Sequence, residues 1–278
     1  MPVRDIILQM NSYPEPTPTW ALEASISLAQ GYGARLSAGI CQVHIPPVSN
    51  WLANKLINAD GTIAGENHKS SENAKALLSL FSSTVGDDLA GEALLIECSG
   101  MITPWQLAAK ACAYDLIVVP AYGHKETTAM TEGLIFESGR PVLLLPERDG
   151  GPLRFDNIVI GWDGSRAAAR ALADALSLCR EAKKVTVASV TKEKDLSKAA
   201  PVSEVVRHLA RHDIAAGTIE IPADGSDAGL VLQSYCERSG SDLLVMGAYG
   251  HSRVREFVLG GATRSVLGDP KLPIFLSH

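Results

Sequence analysis

A chain of 278 residues, 46% apolar and 20% charged, has room for two globular domains of about 100–150 residues each and an ordinary globular balance. A net charge of −6, with no run of Lys and Arg, argues against a surface that coats nucleic acid or an anionic membrane. The longest apolar runs, LIVVPA and VLLLP, are strand-sized and far short of the ~20 residues that span a bilayer, and MPVRDIILQMN at the amino end lacks the pattern of a secretory leader.

In chain order, Ile6–Met10 is a continuous apolar run, the pattern of a parallel strand buried on both faces. Thr19–Gln30 has apolar residues at helical spacing and Arg35–Val43 is a second strand. A long loop through Trp51 leads to an amphipathic helix over Glu66–Thr84, and Glu92–Cys98 is a third strand. Thr103–Ala113 is a helix with Pro104 in the first turn, where the missing N–H costs nothing. Leu116–Val119 and Val142–Leu145 are strands with a short helix between them. PERDGGPLR, Pro146–Arg154, combines Pro, Gly and charge as linkers do. Beyond it, strands Ile158–Ile160, Val185–Val190, Thr218–Ile221, Leu243–Met246 and Ile274–Leu276 alternate with helices. Those helices run at about Ser165–Arg180, Val202–His212, Asp227–Arg238 and Gly261–Leu267.

The second set of elements repeats the first. YDLIVVPAYGH (Tyr114–His124) and SDLLVMGAYGH (Ser241–His251) share seven of eleven positions at an offset of 127 residues, and the same offset brings Gly133 onto Gly260. RDIILQMNS resembles DNIVIGWDGS, with Asn11 where Asp163 stands. Two domains follow, residues 1–147 and 153–278. Strand–helix alternation with short connections implies parallel sheets covered by helices on both faces. In such sheets ligands bind beyond the carboxyl ends of the strands.

LLVMGAYGHSRVREFVLGGATRSVL, Leu243–Leu267, begins at one such end. Gly247 and Gly250 suit a tight turn with backbone N–H groups turned inward. Gly260, Gly261 and Ala262 open a helix whose free amides attract an anion, and Arg253 between them can reach a terminal phosphate. The same glycines also serve a bare strand-to-helix turn, and residue spacing leaves both readings open. The stretch is neither a dinucleotide fingerprint nor a P-loop.

This segment closely resembles the Gly-x2-Gly-x9-Gly-Ser/Thr signature of the universal stress proteins. The resemblance extends over the chain through the tandem repeat, five strands per copy and the acid after strand one. It implies two tandem doubly wound α/β domains, each with a five-stranded parallel sheet of the adenine nucleotide α-hydrolase-like kind. It also implies ATP or a related adenine nucleotide, with or without Mg²⁺, in the second domain of a cytoplasmic stress sensor or regulator. Site residues carried over are Asp163 of GWDGS, Val190 near the end of strand two, and Met246, Gly247, Gly250, Gly260, Gly261 and Ala262; Gly161 and Trp162, beside Asp163, are added as candidate site residues. Gly261 stands where the family has a hydroxyl, a loss of about 1 kcal/mol of hydrogen bonding. The first domain has Pro120 for the first glycine, Asn11 for the acid and Leu134 after Gly133, so no nucleotide is expected there. The family pairs through strand five, which implies an internal pseudo-dimer and a homodimer of chains.

Several residues carry a plainer expectation. Five cysteines at wide spacing, four of them in apolar patterns, read as free thiols of a reducing cytosol. His124 and His251 have no second ligand at metal spacing and read as turn residues. Trp162 fits either a flank for a base or core packing, while Trp20 and Trp105 read as core. No nucleophile elbow or water-positioning base is present, so a slow Mg²⁺-dependent ATPase centred on Asp163 is the lesser alternative, beside a nucleotide-free interaction module.

Overall fold

A computed structural model describes residues 2–47, 58–100, 103–148, 150–192, 200–249 and 261–278. The first half runs β1 (Asp5–Asn11), α1 (Thr19–Tyr32), β2 (Arg35–His44), α2 (Ala59–Thr84), β3 (Ala90–Ser99), α3 (Pro104–Ala111), β4 (Leu116–Ala121), α4 (His124–Glu137) and β5 (Val142–Pro146). The second runs β6 (Asn157–Gly161), α5 (Arg166–Glu181), β7 (Lys184–Thr191), α6 (Val202–Ala210), β8 (Ala216–Pro222), α7 (Ala228–Ser239), β9 (Leu243–Gly247), α8 (Gly261–Gly268) and β10 (Ile274–Ser277).

Among the described residues ten strands share one sheet in the order β3-β2-β1-β4-β5-β10-β9-β6-β7-β8. Neighbours are parallel except β5 and β10, which pair antiparallel with Phe275 opposite Leu143. Each half is therefore doubly wound, and the two continue into each other through their last strands. Successive residues of a strand feed opposite faces. Ile6, Leu8, Ile158 and Ile160 enter one core layer with α1, α2, α5 and α6, while Ile7, Ile117, Val159 and Leu244 enter the other with α3, α4, α7 and α8. That double coverage is why these strands read as unbroken apolar runs.

The repeat extends to polar clamps. Asp115 Oδ2 accepts from the N–H groups of Arg4 at 2.8 Å and Asp5 at 3.1 Å. Asp242 Oδ2 accepts from Asp156 at 3.0 Å and Asn157 at 2.8 Å. In both halves a carboxylate before the fourth strand fixes the start of the first.

Three elements differ from expectation. Helix α2 starts at Ala59, not Glu66, and its early turns carry Gly61 and Gly65 and bury nothing before Ser70, so they lack an apolar period. Helix α4 spans 14 residues where a short helix was expected. Trp105 is exposed, at 58%, because α3 buries Leu107, Ala108 and Ala111 on an arc that leaves Trp105 on the solvent side. Trp20 does pack against the first core layer.

Candidate functional site

The chain leaves β6 toward β7 and β8, then returns on the other side of β6 to form β9. The carboxyl ends of β6 and β9 thus lie at a reversal of strand order, where crevices form in open α/β sheets. Gly161 closes β6 in register with Met246 on β9 and Ala188 on β7. Val190 and Met246, at the ends of β7 and β9, are both buried in the layer containing Leu232 and Cys236. A Cβ on Gly161 would stand 2.9 Å from the Leu232 side chain, so glycine here allows close packing.

Asp163 follows two residues beyond β6. Its Oδ1 accepts from Ser165 N–H at 3.0 Å, across a turn in which Gly164 takes φ +71°. Ser165 in turn caps α5, its Oγ accepting from Ala168 N–H at 3.0 Å. The carboxylate is thereby oriented by its own loop, just past the carboxyl end of β6. Trp162 packs in the other core layer, and its ring N–H donates to the Ala200 carbonyl at 3.0 Å.

The glycines have packing reasons of their own. A Cβ on Gly247 would run into the backbone of Ala167 and Ala168 at the start of α5 and come within 2.9 Å of the Ala167 methyl. A Cβ on Gly261 would run into Asp227 Oδ2. Asp227 is the cap of α7, its Oδ1 accepting from Gly229 N–H at 2.9 Å and Leu230 N–H at 3.3 Å. A carboxylate thus lies against the first residue of α8, in the space a serine side chain would need. Ala262 packs against the start of α7, since a Cβ on Gly229 would run into its carbonyl oxygen. Gly250, Arg253, Gly260 and His251 lie outside the described residues. One contact was not foreseen: Thr263 Oγ1 accepts from Tyr249 N–H at 3.1 Å, tying the β9 turn to α8.

In the first half the residues at the corresponding strand ends bond to one another. Asn11 is buried, and Gln9 Nε2 donates to its Oδ1. Thr17 Oγ1 accepts from Asn11 N–H at 2.8 Å and lies 2.7 Å from the Tyr122 hydroxyl. Burial pushes the Tyr122 phenol up to about 12. Helix α4 begins directly after Gly123 and runs through Gly133 and Leu134. Gly133 is explained by packing, because a Cβ there would run into the ring of Pro104 on α3. Pro120 sits beyond the last β1–β4 pair, Leu8 with Val118, so its missing N–H breaks no β1 bond.

Cys41, Cys98, Cys179 and Cys236 are buried free thiols and Cys112 is exposed. Among the described residues no three His, Cys, Asp or Glu side chains form a metal cluster, and no helix is long and apolar enough to cross a membrane. A cleft of about 570 Å³ lined by Asp5, Arg35, Glu92, Lys110 and Tyr114 opens at the amino ends of β1–β3, the opposite end of the sheet from the strand termini above.

Comparison with known proteins adds four findings. Residues 154–278 match the universal stress protein family. The chain is similar to universal stress protein Slr1230 of Synechocystis sp., 48% identical over 40 residues, a match spanning 14% of this chain and 14% of that relative. A crystal structure of a universal stress protein from Archaeoglobus fulgidus superposes with a TM-score of 0.68 at 15% identity, covering 98% of this chain and 97% of that one. A functionally unknown protein of Pseudomonas aeruginosa follows at 0.56 and 13%, covering 99% and 92%. At such identities these two structures speak to the fold alone, and it is the fold of the whole chain.

Proposed function

We propose that the chain, whose residues 154–278 match the universal stress protein family, binds an adenine nucleotide in its second half as a stress-response sensor or regulator. The observation that carries the reading is the convergence at the strand reversal. In this reading the buried apolar Val190 and Met246, at the ends of β7 and β9, would flank a base, and the Asp163 carboxylate, held by its own turn just past β6, would accept from a ribose hydroxyl. A carboxylate accepting from a sugar hydroxyl is a charge-assisted bond, stronger than a neutral one. Gly247, Gly250, Arg253, Gly260, Gly261 and Ala262 form the phosphate side of this reading. Because Asp227 stands against Gly261, a triphosphate fits better with its charge met by Mg²⁺.

In the same reading the halves are two domains, 1–147 and 153–278. The first is read as holding no nucleotide, because Asn11 stands at the position of Asp163 and both its N–H and the Tyr122 hydroxyl are bonded to Thr17. The β5–β10 pairing supports an internal pseudo-dimer, with a homodimer of chains as a further step. Four buried free thiols support a cytoplasmic setting. A nucleotide-free interaction module is the second reading, favoured by the packing reasons found for Gly247 and Gly261.

The deciding experiment is direct. Protein purified without added nucleotide is denatured and the released small molecules are identified by mass, then ATP and AMP are titrated with and without Mg²⁺. Bound adenine nucleotide, with affinity reduced at least about tenfold in Asp163→Ala, supports the proposal. Neither co-purifying nor titratable nucleotide selects the interaction module.

A further inference from the structure

The two tyrosines of the repeat, Tyr122 and Tyr249, take different courses. Tyr122 turns into its own half, with its hydroxyl 2.7 Å from Thr17 Oγ1. Tyr249 turns across to the other half. Its hydroxyl donates to Glu132 Oε1 at 2.6 Å, and its ring lies 4.7 Å from that of Phe136. Glu132 and Phe136 both belong to α4, one helical turn apart. The backbone of Tyr249 is at φ +54°, which side chains rarely adopt and which persists only where surroundings hold it. Its surroundings do so from two sides: Thr263 of α8 takes its N–H, and α4 takes its ring and hydroxyl.

Further contacts bind the same helix to the same turn. Phe136 meets the His278 ring at 4.7 Å, edge to face, and His278 Nδ1 is 2.9 Å from the Ala248 carbonyl. Thr128 Oγ1 donates to the Leu267 carbonyl at 3.4 Å. The turn that leaves β9 therefore rests on a helix of the first half.

We propose that Glu132 is a positioning residue for the second-half site: by accepting the Tyr249 hydroxyl it holds that ring away from the inward course Tyr122 takes and fixes the left-handed turn after β9. The consequence for nucleotide rests on the function proposed above, while the hold on the turn does not. It gives the nucleotide-free first half a task, as the support against which the second site is shaped.

The test uses the full chain with Glu132→Ala, Glu132→Gln, Tyr249→Phe and the double variant Glu132→Ala/Tyr249→Phe. Hydrogen exchange of the Ala248 and Tyr249 amides is read against the amides of β1 and β6, and ATP is titrated in parallel. Glu132→Ala and Tyr249→Phe are each expected to speed exchange at the turn about tenfold, with β1 and β6 unchanged. The double variant should be no faster than either single one, the signature of one shared bond. Glu132→Gln keeps an acceptor oxygen and should stay near wild type. ATP affinity should weaken about tenfold in the first two variants, which is about 1.4 kcal/mol. Turn exchange unchanged in Glu132→Ala, or equally fast in Glu132→Gln, overturns the inference whatever ATP does. Altered exchange with unaltered ATP affinity overturns its consequence for the site and leaves the proposed function standing. A wild-type chain that binds no ATP overturns the proposed function, and the exchange data then decide the clasp alone.

Discussion

Gly247→Ala separates what the β9 turn needs for folding from what a ligand would need. The added methyl would meet the Ala167 and Ala168 backbone and stand 2.9 Å from the Ala167 Cβ, against about 4 Å for an ordinary carbon contact. The neighbour is the first turn of a capped helix, with Ala167 and Ala168 themselves buried, so the strain cannot be relieved by turning a flexible side chain. Overpacking of this kind costs typically about 1–3 kcal/mol, and backbone neighbours put this site in the upper half, at about 2–3 kcal/mol. For a chain of this size that corresponds to a melting temperature lower by roughly 4–10 °C. The assay is urea unfolding of nucleotide-stripped protein followed by circular dichroism. Gly65→Ala serves as control, because a Cβ there meets nothing within 4 Å inside helix α2 and should be neutral or stabilise by up to about 1 kcal/mol. A Gly247→Ala midpoint equal to wild type would refute the close approach and return this glycine wholly to ligand binding.

Other expectations follow from the same contacts. Gly261→Ser, which restores the family's hydroxyl, should displace the Asp227 cap and cost about 1 kcal/mol; in an Asp227→Ala background the cost should largely vanish, as a double-mutant cycle on stability would show. Asp115→Ala and Asp242→Ala each strip two N–H groups of their acceptor and should each cost about 2 kcal/mol by urea unfolding, with equal penalties if the clamps are true repeats. Tyr122 has a phenol raised to about 12 by burial, against about 10 when unfolded, so the unfolded chain loses that proton first. Its contribution is present in full below about pH 10 and is lost as pH rises toward 12, amounting to roughly 2–3 kcal/mol. Stability of Tyr122→Phe should accordingly fall less than wild type between pH 9 and pH 11.5, and parallel declines would count against the burial of this hydroxyl.

Much of the architecture is readable because double coverage makes each strand a short apolar run, as in Ile6–Leu8 and Leu243–Val245, and because the repeat duplicates every element. The start of α2 is hidden, since an exposed turn with two glycines has no apolar period. The site is less legible for a different reason: its determinants are contacts between distant segments. Gly133 aligns with Gly260, yet its glycine is explained by Pro104 across a helix–helix contact. Gly261 looks like a lost hydroxyl until Asp227 is found in that space. Tyr122 and Tyr249 stand in identical AYGH strings, and only partners on other elements, Thr17 in one case and Glu132 in the other, send them different ways. Local pattern reports burial and periodicity, whereas the direction of one side chain depends on what the fold brings beside it.

The most direct test of the central claim is a calorimetric titration of the nucleotide-stripped chain with ATP and Mg²⁺, read for stoichiometry. One nucleotide per chain, lost in Asp163→Ala and retained in Asn11→Ala, is the predicted result. Two nucleotides per chain, or none, would contradict a binding second half beside a first that holds none.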